Sequence, residues 1–313
     1  MRRIIASHVA DYNQQWFAMM VVPHNYAVGV DGGMDVIIES MQLYIGKYIE
    51  HPQKEERLPT HAVVFADISS VYNRVSSEEL MDIIQTDYSK LLSLVYLFYG
   101  SPGSIHHHWE KDGAWRALLV LEGVKQGCPL SAIFVALVLD RVLCSLDALL
   151  CQRANDRLLS GDLGDDDHGS ITHLSGWVDD VTAGVPLVDL KFFCDKFPEL
   201  AAPLGLKLNP YKTHILTSCS SISIFPTLHA TNPSLVLEIK STIAAYSITK
   251  AKAPNNTATH IERISGFQLL GTPVGSAEFA ADFFTKQVEE VCRKITALEA
   301  SIPDLHTHLR MFV

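Results

Sequence analysis

Charge is sparse in this 313-residue chain, and positive charge is sparser still. Asp, Glu, Lys and Arg make up 19% of it, against about 25% in ordinary globular proteins. With 48% hydrophobic residues, this composition excludes a disordered chain. Lys and Arg number 25 against 35 Asp and Glu, a formal net charge of −10. A globally acidic chain is at first sight an unpromising nucleic-acid binder. Its six cysteines (128, 144, 151, 194, 219 and 292) lie far apart and form no CxxC pair. That argues against a zinc ribbon or a disulfide scaffold and fits a reducing compartment. No uninterrupted apolar run approaches the roughly 18 residues of a membrane span. His8, Asp11 and Asn13 interrupt any apolar stretch behind Arg2 and Arg3, so no signal peptide is read. The expectation is a chain that is neither secreted nor membrane-embedded, in the nucleus or the cytoplasm.

What is present is a regular alternation of helical and extended patterns, enough for one large or two ordinary domains. Arg3 to Met20 and Met34 to Ile49 have apolar positions at helical spacing, the second with Ile37, Met41, Tyr44, Ile45 and Tyr48 on one face. A polar linker covers 51–60. Ala62 to Ala66 is a short apolar run that ends in Asp67, the pattern of a buried strand carrying a carboxylate at its tip. Ser76, followed by Glu78 and Glu79, opens a helix expected to run to Tyr99. A β-hairpin is expected over 104–122 and a core helix over Leu130 to Leu150, behind Pro129. Strands over Ser170 to Val178 and Val181 to Val185 should be joined by a turn at Asp179-Asp180. A helix over Leu187 to Leu204 should break near Pro198 and Pro203, with further strands over 212–225 and 264–274. Phe279 to Leu298 reads as an amphipathic helix.

Two acidic strand ends, Asp67 and Asp179-Asp180, are the strongest chemical signal. Carboxylates brought together in this way are hard oxygen ligands suited to Mg²⁺. Two such ions can clamp the attacking and leaving oxygens of a phosphoryl displacement. Each acid taken alone has an ordinary reading as a turn or cap residue, and an isolated Asp-Asp turn is far more often structural. His106-His107-His108, Asp165-Asp166-Asp167 and the glycines at 29, 32 and 33 lack the spacing of a metal, calcium or dinucleotide site.

Between the acids lies Gly123-Val124-Lys125-Gln126-Gly127-Cys128-Pro129-Leu130-Ser131. This segment resembles motif B of reverse transcriptases. Asp67-Ile68-Ser69-Ser70-Val71-Tyr72-Asn73 resembles motif A, and Trp177-Val178-Asp179-Asp180 resembles motif C. Leu204 to Thr213 resembles motif D, Leu269 to Gly275 motif E, and Pro23 to Gly33 the fingers segment of non-LTR-retrotransposon (LINE-like) enzymes. Five motifs in order, over roughly 20–300, make the chain similar to a retroelement reverse transcriptase domain truncated in fingers and thumb.

The resemblance implies an α+β fold, a right-hand polymerase palm whose antiparallel sheet is backed by helices. It assigns 1–60 to partial fingers, 61–276 to the palm with a finger-return hairpin near 104–122, and 277–313 to the start of the thumb. It implies RNA-directed DNA polymerase activity by nucleotidyl transfer onto a primer 3′-OH. Asp67, Asp179 and Asp180 would hold two Mg²⁺ ions, for which Mn²⁺ can substitute, with the Ile68 carbonyl as a backbone ligand. Tyr72 would pack under the nucleotide sugar and disfavour a 2′-hydroxyl. Lys125, Gln126 and Gly127 would line the template and nucleotide pocket. Lys212 would donate a proton to pyrophosphate. The implied partners are an RNA template with a DNA primer, deoxynucleoside triphosphates, and a protein supplying the missing fingers and thumb surface. Duplex contacts would fall to Arg116, Lys125, Lys207, Lys286, Arg293 and Lys294. Trp177, Val178, Val71 and Cys128 depart from the usual motif residues. They and the acidity keep open a catalytically inactive relic or a nucleic-acid- or protein-binding module. A two-metal phosphodiesterase is a third reading.

Overall fold

The computed structural model describes residues 2–50, 61–99, 103–109, 114–120, 122–160, 172–209, 212–217, 234, 237–238, 241–242 and 266–301. The linker at 51–60, the acidic segment from 161 to 169, Cys219 and the polar stretch around Lys250 lie outside these residues. The architecture is mixed helix and antiparallel sheet, in two compact units, Met1–Ile261 and Glu262–Val313.

The first unit opens with helices α1 (Arg2–Tyr12), α2 (Gln14–Val21) and α3 (Gly33–Ile45), the last continued by a π-turn over Gly46–Glu50. Helix α3 buries Ile37, Ile38, Met41, Tyr44 and Ile45, the face that its periodicity marks. Strand β1 (His61–Asp67) follows, with every residue buried except Asp67 at its end. That pattern belongs to a central strand covered on both faces. A short helix α4 (Val71–Arg74) leads to α5 (Ser77–Asp87), capped by Ser76, whose Oγ accepts the Glu79 N–H at 3.2 Å. The expected single helix to Tyr99 is instead α5, a 3₁₀ turn at Ser89–Leu91, and α6 (Leu92–Tyr99). The two-stranded hairpin β2 (Gly103–Trp109) and β3 (Ala114–Val120) comes next.

Helix α7 (Pro129–Ser160) is the backbone of the core and runs ten residues beyond the expected Leu150. Strands β4 (His173–Trp177) and β5 (Asp180–Pro186), helix α8 (Leu187–Ala201) and strand β6 (His214–Thr217) complete the sheet, in the order β4-β5-β1-β6, all antiparallel. Helix α8 passes through Pro198 without breaking. The stacked rings of Phe193 and Phe197, 5.8 Å apart and both buried, hold its turns against the core.

The second unit holds the hairpin β7 (Gly266–Leu269) and β8 (Thr272–Gly275) and helix α9 (Ala277–Ser301). The single strand expected over 264–274 is thus a hairpin. Its two turn residues, Leu270 and Gly271, both have positive φ, 50° and 86°, as a type I′ turn requires. Val288 and Val291 of α9 are exposed. Among the described residues no helix is long and apolar enough to cross a membrane.

Candidate catalytic site at the strand tips

Antiparallel pairing of β1 with β5 makes Asp67 and Asp180 register partners. The β4–β5 connection is a two-residue turn, because Trp177 pairs with Asp180. The turn residues are therefore Val178 and Asp179, one residue earlier than the sequence suggested, and Asp180 begins the strand. Val178 takes φ +57°, a strained conformation for a β-branched residue that costs on the order of 1–3 kcal/mol. The Asp179 carbonyl accepts the Ile68 N–H at 3.1 Å, which fixes the turn against the end of β1. Three carboxylates thus share one end of two neighbouring strands.

Their electrostatics follow from that crowding. Burial, then the charges of Asp179 and Asp67, push the Asp180 carboxyl up to about 6, partly offset by Lys212. Asp179 is also raised, by burial first and by Asp67. Lys212 Nζ lies 3.3 Å from Asp67 Oδ1. A backbone turn delivers it there. The Asn209 N–H donates to the Asp67 carbonyl at 2.8 Å, and the Asn209 carbonyl accepts the N–H groups of Lys212 and Thr213.

Tyr72 sits on α4, the turn after β1, and burial followed by the charge of Asp179 raises its hydroxyl. It lines a cavity of about 450 Å³ together with Gln126, Gly127, Cys128, Pro129 and Ala132. Two glycines bring these parts together. Gly123, at φ +83°, lies so close to the 72–73 backbone that a Cβ would meet the Tyr72 carbonyl oxygen at 2.5 Å. Gly205, at φ +77°, approaches Arg74 in the same way, with a Cβ 2.0 Å from its carbonyl oxygen. The segments around 123–128 and 204–209 are thereby docked on the turn that carries Tyr72.

Of the residues expected at a site, Asp67, Asp179, Asp180 and Lys212 are brought together at the strand tips. Tyr72, Gln126 and Gly127 are brought together at the cavity. Ile68 is buried in the core and reaches the site only through its backbone. Lys125 is exposed and does not line the cavity. Its carbonyl accepts from Ser131 Oγ at 2.7 Å, and Tyr99 Oη lies 3.1 Å from Ser131 Oγ. Tyr99 and Asn209 are the positioning residues that the sequence pattern missed. Tyr99 acts through Ser131, 32 residues on, and Asn209 joins its local turn to the Asp67 carbonyl, contacts between segments far apart in sequence. His106 to His108 lie within β2, opposite Ala117, Arg116 and Trp115.

No protein-family model matches the chain, and no curated protein matches it significantly. Among solved structures it is similar to an apo telomerase from Candida tropicalis, at 13% identity and TM-score 0.46, over 69% of this chain and 36% of that one. It is also similar to a telomerase from Candida albicans in complex with a fragment of telomeric RNA, at 12% identity and TM-score 0.43, over 70% of this chain and 35% of that one. The C. tropicalis telomerase with the corresponding RNA fragment gives 12% identity and TM-score 0.46, over 79% of this chain and 46% of that one. The chain spans less than half the length of the telomerase chains it matches, and the likeness is remote.

Proposed function

We propose that this chain is the palm-centred core of an RNA-directed DNA polymerase of retroelement type, extending a DNA primer on an RNA template. The observation that carries this reading is the convergence of Asp67, Asp179 and Asp180 at one strand end beside the cavity lined by Tyr72, Gln126 and Gly127.

Three crowded carboxylates, one of them pushed up to about 6, are a donor set in need of a cation. All are hard oxygen ligands, which fits Mg²⁺ or Mn²⁺. Asp67 and Asp179 would hold the metal, with Asp180 as the neighbouring acid. Bound there, divalent ions would polarise the triphosphate and stabilise charge on the attacking and leaving oxygens. The chain's own residues supply position. Tyr72 forms a floor for the nucleotide sugar. Gln126 and Gly127 form the wall against which base and template rest. Lys212, freed from Asp67, is placed to give a proton to the departing pyrophosphate.

Primer extension on poly(rA)/oligo(dT) with Mg²⁺, then Mn²⁺, tests this. Extension by the wild type and none by Asp179→Ala is the expected result. Equal extension by both proteins would overturn it.

A second reading is a catalytically inactive binding module of the same fold. The Lys212–Asp67 pair favours it, because an ammonium already neutralises a carboxylate that the metal needs. So does the net charge of −10. A folded wild type that binds primed template without extending it would select this reading.

A further inference from the structure

We propose that His24, Asp140 and Cys144 form a binding site for a zinc-class transition-metal ion, separate from the three acids at the strand tips. Nδ1 of His24, the Asp140 carboxylate and Sγ of Cys144 all lie within 4.8 Å of one another. Cys144 Sγ is 3.5 Å from His24 Nδ1 and 3.5 Å from Asp140 Oδ2. Asp140 Oδ1 is 3.9 Å from His24 Nδ1. Zn–S of about 2.3 Å and Zn–N or Zn–O of about 2.1 Å at tetrahedral angles give ligand separations of about 3.4–3.6 Å. The two sulfur spacings match those edges, and the Nδ1–Oδ1 spacing is about half an ångström longer, so a small rotation of the Asp140 carboxylate closes the site around one of its oxygens.

A second observation points to a ligand. Asp140 is only 7% exposed, and its Oδ1 is buried with no hydrogen-bond partner. A carboxylate oxygen withdrawn from water and left without a hydrogen bond is costly, and a cation between it, the imidazole and the thiol removes that cost. Arg141, the adjacent basic side chain on the helix, is already engaged by Asp87.

The ligands are held on rigid backbone. Asp140 and Cys144 are one turn apart on α7 and so share a face. The His24 N–H donates to the Val21 carbonyl at 3.1 Å, and its own carbonyl accepts the Gly176 N–H of β4 at 2.6 Å. The other ring nitrogen of His24, Nε2, lies 3.7 Å from Asp147 Oδ2, one further turn along the same helix. A carboxylate behind the far nitrogen is the usual support of a metal-bound histidine. Neutral imidazole, carboxylate and thiolate sum to −2, matched to a dication. Mixed nitrogen, oxygen and sulfur donors select Zn²⁺ over Mg²⁺, which the all-oxygen strand-tip acids suit instead. Three protein ligands leave a fourth position for water.

The order Cys144, His24, Asp147 also has the outline of a nucleophilic thiol site. Two flanking carboxylates oppose formation of a bare thiolate, however, and favour a cation. A bound ion would tie the turn at 21–25 to α7, and so brace the strand that leads into the Val178–Asp179 turn.

Chelator-stripped protein titrated with Co²⁺ gives the test. One equivalent should produce the intense visible bands of tetrahedral cobalt and a thiolate-to-cobalt charge-transfer band. Zn²⁺ should displace it and raise the melting temperature. Cys144→Ala should abolish the charge-transfer band and weaken Zn²⁺ at least tenfold in competition with a chromogenic chelator, whereas Asp179→Ala should leave both unchanged. In the wild type, Zn²⁺ should also protect Cys144 from iodoacetamide, read by peptide mass spectrometry, which requires no variant to fold. Absence of the charge-transfer band in folded wild type, its survival in Cys144→Ala, or equal alkylation of Cys144 with and without Zn²⁺ would overturn the proposal.

Discussion

The ammonium of Lys212 stands 3.3 Å from Oδ1 of Asp67, at the mouth of the carboxylate cluster. The lysine is largely exposed and the aspartate largely buried, so the pair is a partly screened one, worth about 1 kcal/mol or less. A metal ion at Asp67 must displace this ammonium. Lys212→Ala should therefore tighten Mn²⁺ binding by up to about fivefold, while lowering nucleotide incorporation by roughly a hundredfold through loss of the proton donor. Isothermal titration beside single-turnover extension reads both. Unchanged metal affinity, or incorporation that survives the substitution, would remove the lysine from the site.

The raised carboxyls predict a pH dependence with a definite sign. Asp180 moves from an ordinary value near 3.8 up to about 6 through burial and the charges of Asp179 and Asp67. Between those values the folded protein holds a proton that the unfolded chain has released. Stability from this group is therefore fully present at low pH and is lost as pH rises through about 6. Asp180→Asn should melt higher than wild type at pH 7.5 in chelator, and the difference should shrink by pH 5. Saturating Mn²⁺ should stabilise the wild type more at pH 7.5 than at pH 5. A pH-independent gap between variant and wild type would contradict the crowding of charge seen here.

Much of this site was legible because its parts rest on local pattern. An apolar run ending in Asp67 reads as a buried strand with its acid at the tip, and Ser76 with Glu79 three residues on reads as a cap. The turn at 178–179 was misplaced by one residue. Asp-Asp has turn chemistry, but the pairing of Trp177 with Asp180 draws Asp180 into β5 and leaves Val178 in the turn at positive φ. Helix α7 outran its expected end because its last turns are held by distant partners, not by apolar periodicity. His24 escaped notice beside Cys144 for the same reason, since 120 residues separate them.

Tyr72 makes a separable prediction about sugar selection. Its ring lines the cavity at 126–132, and its hydroxyl lies in the field of Asp179. If the ring excludes a 2′-hydroxyl, Tyr72→Val should raise the ribonucleotide-to-deoxyribonucleotide incorporation ratio by about 10- to 200-fold, the range for a small steric distinction in a pocket. Tyr72→Phe, which keeps the ring, should leave the ratio within about twofold. A ratio that moves equally in both variants would assign the discrimination to the hydroxyl and not to the ring.

Asp189 anchors the extension of α7 and tests the fold independently of any chemistry. It is fully buried, and Arg157 grips it with two bonds, 2.7 Å to Oδ1 and 2.6 Å to Oδ2. Arg153 Nε adds a third at 2.9 Å while its guanidinium lies 4.4 Å from the Phe192 ring centre. Removing the acid leaves Arg157, itself mostly buried, without its counter-charge. Asp189→Ala should cost about 3–5 kcal/mol in urea denaturation. Arg153→Ala should cost about 1 kcal/mol or less, because that side chain is 41% exposed and Arg157 still satisfies the carboxylate. Asp189→Ala should also melt the last turns of α7 selectively in hydrogen exchange, since residues beyond Leu150 bury little else that holds them. Equal costs for the two variants would mean that the helix extension is held by its own propensity and not by this clamp.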